Sequence, residues 1–190
     1  MLKVDLRKQL LNLREELHQK LPKEQWGEAQ LGLLEDFLQK PREEWHREFT
    51  VAGYIPFRSE LQLMGPWAEH WMCPRVVKQD MMWFSYGDGV MGYKKNRFGI
   101  PEKDISVCVE DLPMPLLVLA PGVACNHSGF RVGYGGGFYD RFLENKREDC
   151  RVIFLTVDEL LITENFQESH DIPVDIIVTQ SKVIDISIKK

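Results

Sequence analysis

The chain has 190 residues, 44% of them hydrophobic and 28% charged, which suits one globular domain with a substantial core. Its net charge of -5, from 24 basic and 29 acidic residues, disfavours a general nucleic-acid or acidic-membrane binder, yet allows a small anionic ligand in a locally basic pocket. No apolar stretch is long enough to span a bilayer and the N-terminus lacks a signal-type apolar core. The four cysteines form no C-x-x-C pair, so the expectation is a cytoplasmic protein with reduced thiols.

Leu6, Leu10, Leu13, Leu17 and Leu21 recur at spacings of four, three, four and four, which predicts one face of a helix. Pro22 ends it and suits the first turn of a second helix, with Trp26, Ala29, Leu33, Phe37 and Leu38 as its buried stripe. "FTVAGYIP" (49–56) reads as a strand, and "ELQLMGPWAEHW" (60–71) as a short helix weakened by Gly65 and Pro66. "RVV" (75–77) and "MMWFSY" (81–86) read as short strands, and 87–103 as a long irregular segment. "PLLVLAP" (115–121), "RVIFLTVD" (151–158) and "VDIIVT" (174–179) are continuous apolar runs, as expected of strands covered on both faces. "GFYDRFLENK" (137–146) reads as a helix, and "VIDISI" (183–188) alternates like an edge strand. The pattern predicts an α/β fold: a single domain over residues 1–190, with a mainly parallel central sheet covered by helices on both faces and an N-terminal helix pair.

"GFRVGYGGGFYDRFL" (129–143) concentrates glycine between an arginine and a helical run. Glycine is costly in backbone entropy, so clustering it suggests that a ligand lies against bare backbone. Gly133, Gly135, Gly136 and Gly137 admit such an approach, helix-start amides can face phosphate oxygens, and Arg131 adds a planar donor fork. The plain alternative is a glycine-rich turn at a strand–helix junction. Neither the P-loop nor the dinucleotide fingerprint fits: no lysine follows the glycines, and Phe138 stands where the fingerprint's third glycine belongs. Asp140 either complements the helix dipole or holds Mg²⁺, with Asp171 or Asp175 as a second carboxylate. The dispersed histidines argue against zinc.

"APGVACNHSGFRVGYGGGFYDRFL" (120–143) resembles the signature of the 5-formyltetrahydrofolate cyclo-ligase (5,10-methenyltetrahydrofolate synthetase) family. "KVDLR" (3–7), "YIPFRSE" (54–60), "NRFGIPE" (96–102) and "HDIPVDIIVT" (170–179) resemble its other blocks in the same order. The resemblance implies conversion of 5-formyltetrahydrofolate to 5,10-methenyltetrahydrofolate with ATP and Mg²⁺, releasing ADP and phosphate. It implies ATP binding by Lys3, Arg7, Arg131, Gly133, Tyr134, Gly135, Gly136, Gly137, Phe138 and Tyr139. It implies folate binding by Ile55, Glu60, Phe98, Tyr134 and the segment Gly135 to Phe138, with Glu60 on the pterin ring. Asp140 and Asp171 match the metal-binding aspartates, which leaves Asp175 structural. Expected partners are ATP and 5-formyltetrahydrofolate, with or without a polyglutamate tail; no nucleic acid or membrane is expected, and the protein should be a monomer.

Outside that resemblance, Lys3 and Arg7 read as solvated charges on an amphipathic helix, Glu60 as a helix-start acid, and Lys94, Lys95 and Arg97 as a solvated loop, the rival idea being that they meet ATP phosphate or the folate glutamate tail. Departures from the family pattern lie on the folate side: "LQLMG" after Glu60 lacks a threonine, and Lys103 follows Glu102 in place of proline. They keep open a second reading, a catalytically inactive cyclo-ligase-like protein that binds folate or nucleotide. A sugar-phosphate isomerase would need a positioned general base, and no His or Glu is marked out for one.

Overall fold

A computed structural model describes residues 2–20, 27–39, 50–62, 71–78, 80–86, 93–96, 99–104, 106–108, 111–112, 116–146 and 148–187. Helix α1 (Lys3–Lys20) has Asp5 in its first turn and His18 and Lys20 in its last, as the helix dipole favours. It buries Leu6, Leu10 and Arg14, while Leu13 and Leu17 are partly buried. Helix α2 (Glu28–Gln39) buries Leu31, Leu34 and Phe37. Its buried stripe is rotated from the expected one: Ala29 is exposed and Leu33 only partly buried. Leu21, Pro22 and Trp26 lie outside the described residues, as does the side chain of Leu38.

The first strands are β1 (Thr50–Ala52), β2 (Met72–Val77), β3 (Asp80–Ser85), β4 (Tyr93–Lys95), β5 (Pro101–Lys103) and β6 (Leu116–Leu119). Then come β7 (Ala124–Asn126), β8 (Arg131–Val132), helix α3 (Phe138–Glu144), β9 (Cys150–Leu155), β10 (Leu161–Ile162), β11 (Ile176–Val178) and β12 (Val183–Asp185). Seven of them form the central sheet in the order β12-β11-β9-β6-β1-β2-β3. The five from β11 to β2 run parallel, with β12 and β3 antiparallel at the edges.

Alternation along the central strands divides the core into two layers. Leu117, Leu119, Ile153, Leu155, Ile176 and Val178 join the α1 and α2 leucines on one face. Leu116, Val118, Val152, Phe154 and Ile177 pack with Leu143 of α3 and with Trp83 on the other. Burial on both faces explains why β6, β9 and β11 read as unbroken apolar runs. Trp83 and Phe142 meet edge to face at 5.5 Å. Asp175 ties α3 to the sheet, accepting from Lys146 Nζ at 2.5 Å and from the Val152 amide at 2.8 Å.

Three local expectations change. Part of 87–103 is a β4–β5 hairpin, because Asn96 and Gly99, at φ +83°, make a tight turn. The helix expected at 60–71 does not begin at Glu60: residues 58–60 form a turn and Leu61 and Gln62 are irregular, with 63–70 outside the described residues. Strand β2 starts at Met72 and runs through Pro74; only Met72 pairs with β1, so the missing proline N–H interrupts no second ladder.

Gly53 fixes the exit of β1. A Cβ there would stand 2.7 Å from Cε3 of the buried Trp71 ring. Gly53→Ala is expected to destabilise the fold by about 1–3 kcal/mol, as overpacking does. Thermal denaturation of both proteins checks this, and an unchanged midpoint would show that the ring gives way.

Candidate functional site

The chain changes direction across the sheet between β1 and β6. From β1 it runs outward to β2 and β3; it then returns to β6 on β1's other side and runs outward to β9 and β11. Such a switch point opens a crevice at the carboxyl ends of the strands. Here the segment after β1 leads to Glu60, and the segment after β6 holds Pro121 and Gly122.

A small hairpin carries the glycine segment to this crevice. Strands β7 and β8 pair antiparallel, and β10 lies beside β7. The Asn126 side chain closes the turn between β7 and β8 by accepting from the Ser128 and Phe130 amides at 3.1 and 3.0 Å. Residues 133–137 then pass in front of α1. Tyr134, Gly135 and Gly136 are exposed, so the loop is not covered by other side chains. Gly135 sits at φ +95°, and Gly137 caps α3 at φ +63° with no side-chain hydrogen bond to the helix start. At seven residues α3 is short, so an anion placed here would meet the loop amides rather than a long helix dipole.

Cations and carboxylates are paired around this loop. The Lys3 ammonium hydrogen-bonds the Asp171 carboxylate, and Glu168 lies 3.6 Å from it. Arg7 donates from Nε to the Gly133 carbonyl at 2.6 Å, and its Nη1 is the nearest atom to the place a Gly135 Cβ would occupy, at 3.4 Å. Arg131 is 5% exposed and donates to the Pro121 carbonyl at 3.2 Å and to Asp140 Oδ1 at 3.0 Å. Burial lowers the Arg131 pKa, while Asp140 opposes that shift. Burial alone would raise Asp171, but the Lys3 hydrogen bond, the Glu168 amide and the charges of Lys3 and His170 outweigh it and hold the carboxyl below its ordinary range. Buried Arg131 Nε and the Tyr139 hydroxyl lack partners among the described residues.

Among the described residues, Asp140 Oδ2 has no hydrogen-bond partner and Asp171 Oδ1 faces only His170 Nε2 at 4.0 Å. Arg131 takes Oδ1 of Asp140; Lys3 and the Glu168 amide take Oδ2 of Asp171. Hard carboxylate oxygens suit Mg²⁺. Glu168, His170 and Asp171 also bring donor atoms within 4.8 Å of one another, a grouping that Lys3 already bridges.

The folate-side expectation centres on Glu60, which is 5% exposed. Its carboxylate accepts from the Phe57 amide at 2.8 Å, and the Tyr134 hydroxyl lies near it. Burial raises its pKa; the Phe57 amide, Tyr134 and Arg14 oppose the shift without cancelling it. Arg14 donates from Nε to Ser59 Oγ at 3.2 Å, from Nη1 to the Gly122 carbonyl at 2.8 Å and from Nη2 to the Tyr134 hydroxyl at 2.6 Å.

The structure therefore brings Lys3, Arg7, Arg131, Asp140, Asp171, Glu60 and the 133–137 loop to one end of the sheet. Ile55 is half-buried on the segment leading to Glu60, and Phe138 lies half-buried under the Arg141 guanidinium, 4.9 Å from its ring centroid. Tyr139 faces Arg131 at 5.7 Å. Phe98 lies outside the described residues. Cys73, Cys125 and Cys150 are buried, which pushes their thiols up to about 12, so they are poor nucleophiles at neutral pH.

Sequence reasoning missed Arg14. Its signal was present, since it stands four residues after Leu10 and seven after Arg7, on the buried face of α1.

Known proteins resemble this chain in sequence and in fold. The sequence profile described as the 5-formyltetrahydrofolate cyclo-ligase family matches residues 2–180. The chain is 35% identical over 149 residues to a 5-formyltetrahydrofolate cyclo-ligase of Mycolicibacterium smegmatis, covering 71% of this chain and 75% of that one. It is 32% identical over 145 residues to the Escherichia coli K12 protein of the same name, covering 70% and 79%. The fold superposes on a 5,10-methenyltetrahydrofolate synthetase of Aquifex aeolicus with a TM-score of 0.75 and 25% identity, over 98% of this chain and 93% of that one. A Mycoplasma pneumoniae 5,10-methenyltetrahydrofolate synthetase shares the fold at a TM-score of 0.70 and 19% identity, over 95% and 99%. With its profile matched almost end to end and its signature loop set against a basic helix at the sheet's switch point, the chain belongs to the 5-formyltetrahydrofolate cyclo-ligase family.

Proposed function

We propose that this protein converts 5-formyltetrahydrofolate to 5,10-methenyltetrahydrofolate with ATP and Mg²⁺, releasing ADP and phosphate. One observation carries the reading. Lys3, Arg7 and Arg131 gather around an exposed glycine loop, two aspartates stand beside them, and the buried Glu60 carboxylate lies across the same crevice.

The reaction needs this division of labour. A formamide oxygen leaves poorly as it stands. The formyl oxygen attacks the γ-phosphorus, the bond to ADP breaks, and an iminium phosphate forms. Folate N10 then attacks the activated carbon, N10 loses its proton, and phosphate departs with the former formyl oxygen. The protein's task is alignment and charge stabilisation, with no protein nucleophile. Lys3, Arg7 and the amides of 133–137 would bind phosphate oxygens, and Arg131 would fix the loop beside them. Asp140 and Asp171 would hold Mg²⁺. Bound there, the ion would neutralise charge on the triphosphate. Glu60 would accept from N–H donors on one edge of the pterin, with Ile55 and the ring of Tyr134 as apolar walls.

The direct test is near-ultraviolet absorbance of the methenyl product when protein, 5-formyltetrahydrofolate and Mg²⁺ are mixed with and without ATP. Product that appears only with ATP supports the assignment; folate binding without product would instead mark a non-catalytic binding protein. Asp140→Asn removes the carboxylate charge but keeps side-chain volume and an acceptor oxygen for the buried Arg131, which alanine would also remove. It is expected to lower turnover at least about tenfold and to raise the Mg²⁺ requirement, with unchanged circular dichroism. Equal turnover would remove Asp140 from the mechanism. Glu60→Gln is expected to raise KM for the formylfolate about 10- to 100-fold, the worth of a charged hydrogen bond, with KM for ATP little changed. A rise in the ATP value instead would reverse the division of the pocket.

A further inference from the structure

We propose that Arg14 is a positioning residue for the folate half of the site: its guanidinium holds the Tyr134 hydroxyl and Ser59 Oγ beside the Glu60 carboxylate, at the carboxyl ends of β1 and β6. The inference rests on the function proposed above.

Arg14 is 3% exposed, on the leucine face of α1. Burying a guanidinium is unfavourable unless its donors are answered. A helix needing only to pack would carry leucine here. Instead three nitrogens reach three separate segments: Ser59 beside Glu60, the Gly122 carbonyl after β6, and Tyr134 within the glycine loop. All three acceptors are neutral. The nearby negative charge is Glu60, next in sequence to Ser59 and close to Tyr134.

The chemistry fixes the direction of the Arg14–Tyr134 bond: arginine only donates, so the Tyr134 oxygen accepts and its own hydrogen is left to turn toward the nearby Glu60 carboxylate. Tyr134 is thus held at its polar end while the residue remains 43% exposed. The Arg14 guanidinium carbon also lies 5.5 Å from the ring centroid. A tyrosine that is anchored but open presents a fixed wall to a flat ligand. Helix α1 grips successive loop residues with different side chains: Arg7 holds the Gly133 carbonyl and Arg14 holds Tyr134.

Glu60 faces Arg14 from α1, Tyr134 from the glycine loop, Tyr54 from the segment after β1, Tyr139 from α3 and the Phe57 amide from its own turn. Burial raises its pKa, and the Phe57 amide, the nearby Tyr134 hydroxyl and the Arg14 charge restrain that rise. Removing either of the last two moves the carboxyl further up. The ionised form is then lost at a higher pH as the medium is acidified. The acid limb of kcat/KM for the formylfolate, which reports the free enzyme, should move upward with it.

The experiment compares wild type with Tyr134→Phe, Arg14→Met, Arg14→Lys and the Arg14→Met/Tyr134→Phe double variant. It measures KM for each substrate and kcat/KM against pH. Both Tyr134→Phe and Arg14→Met are expected to raise KM for the formylfolate about 5- to 20-fold, the loss of one or two hydrogen bonds, and to shift the acid limb upward, with KM for ATP nearly constant. The double variant should be no worse than the more impaired single, because both remove the Arg14–Tyr134 bond. Arg14→Lys, which keeps the charge, should restore part of the acid-limb shift. Additive effects, equal rises in both KM values or an unmoved acid limb would overturn the role of Arg14. If Arg14→Met does not fold, Tyr134→Phe decides, since it removes only a hydroxyl from an exposed loop residue. Lack of wild-type turnover overturns the proposed function and this inference together; wild-type turnover with unaffected variants overturns the inference alone.

Discussion

Two guanidiniums, Arg14 at 3% exposure and Arg131 at 5%, are taken out of water in the same region, and such burial is tolerable only where acceptors meet the donors. The surrounding backbone supplies many of them. The Pro121 and Gly122 carbonyls, adjacent in sequence, point to Arg131 and Arg14 respectively. The turn that ends β6 is therefore fixed from two sides. The Gly122 Cα also packs so tightly that an added Cβ would lie 2.8 Å from the Phe154 ring. Side chains, backbone and sheet end constrain one another, which is how a loop-built site can hold its shape without a ligand.

The charges follow a second rule. Lys3 and Arg131 each sit against an aspartate, Asp171 and Asp140. By the proposed assignment the cations serve phosphate and the aspartates serve a metal. Without ligands these groups satisfy one another, which limits the electrostatic penalty of gathering them in a half-buried crevice. The net charge of -5 says nothing of this local arrangement, because charge averaged over 190 residues does not report its placement.

Much of the scaffold was legible in the sequence because burial on both faces writes itself as unbroken apolar runs. Strands β6, β9 and β11 were readable for that reason, and α1 from its leucine spacing. The β4–β5 hairpin was not, since its strands are three residues each and rich in charge. Strands β7 and β8 were hidden too: they pair across an Asn-based turn within a segment whose glycines dominate the pattern. For the site, the motif resemblance pointed to Lys3, Arg7, Arg131, Asp140 and Asp171, and the structure brings these together. Arg14 escaped notice because an arginine on an amphipathic helix ordinarily faces water. Only its phase relative to Leu6 and Leu10 marks it as inward, and only tertiary packing reveals its three acceptors.

Helix α1 supplies three of the site's cations, yet the groups they meet come from segments far along the chain. Lys3 and its partner Asp171 are separated by 168 residues. During synthesis α1 leaves the ribosome long before the glycine loop and Asp171 exist, so its basic face must wait without its eventual partners. The crevice is consequently completed only after the chain has been made through Asp171, long after α1 has formed.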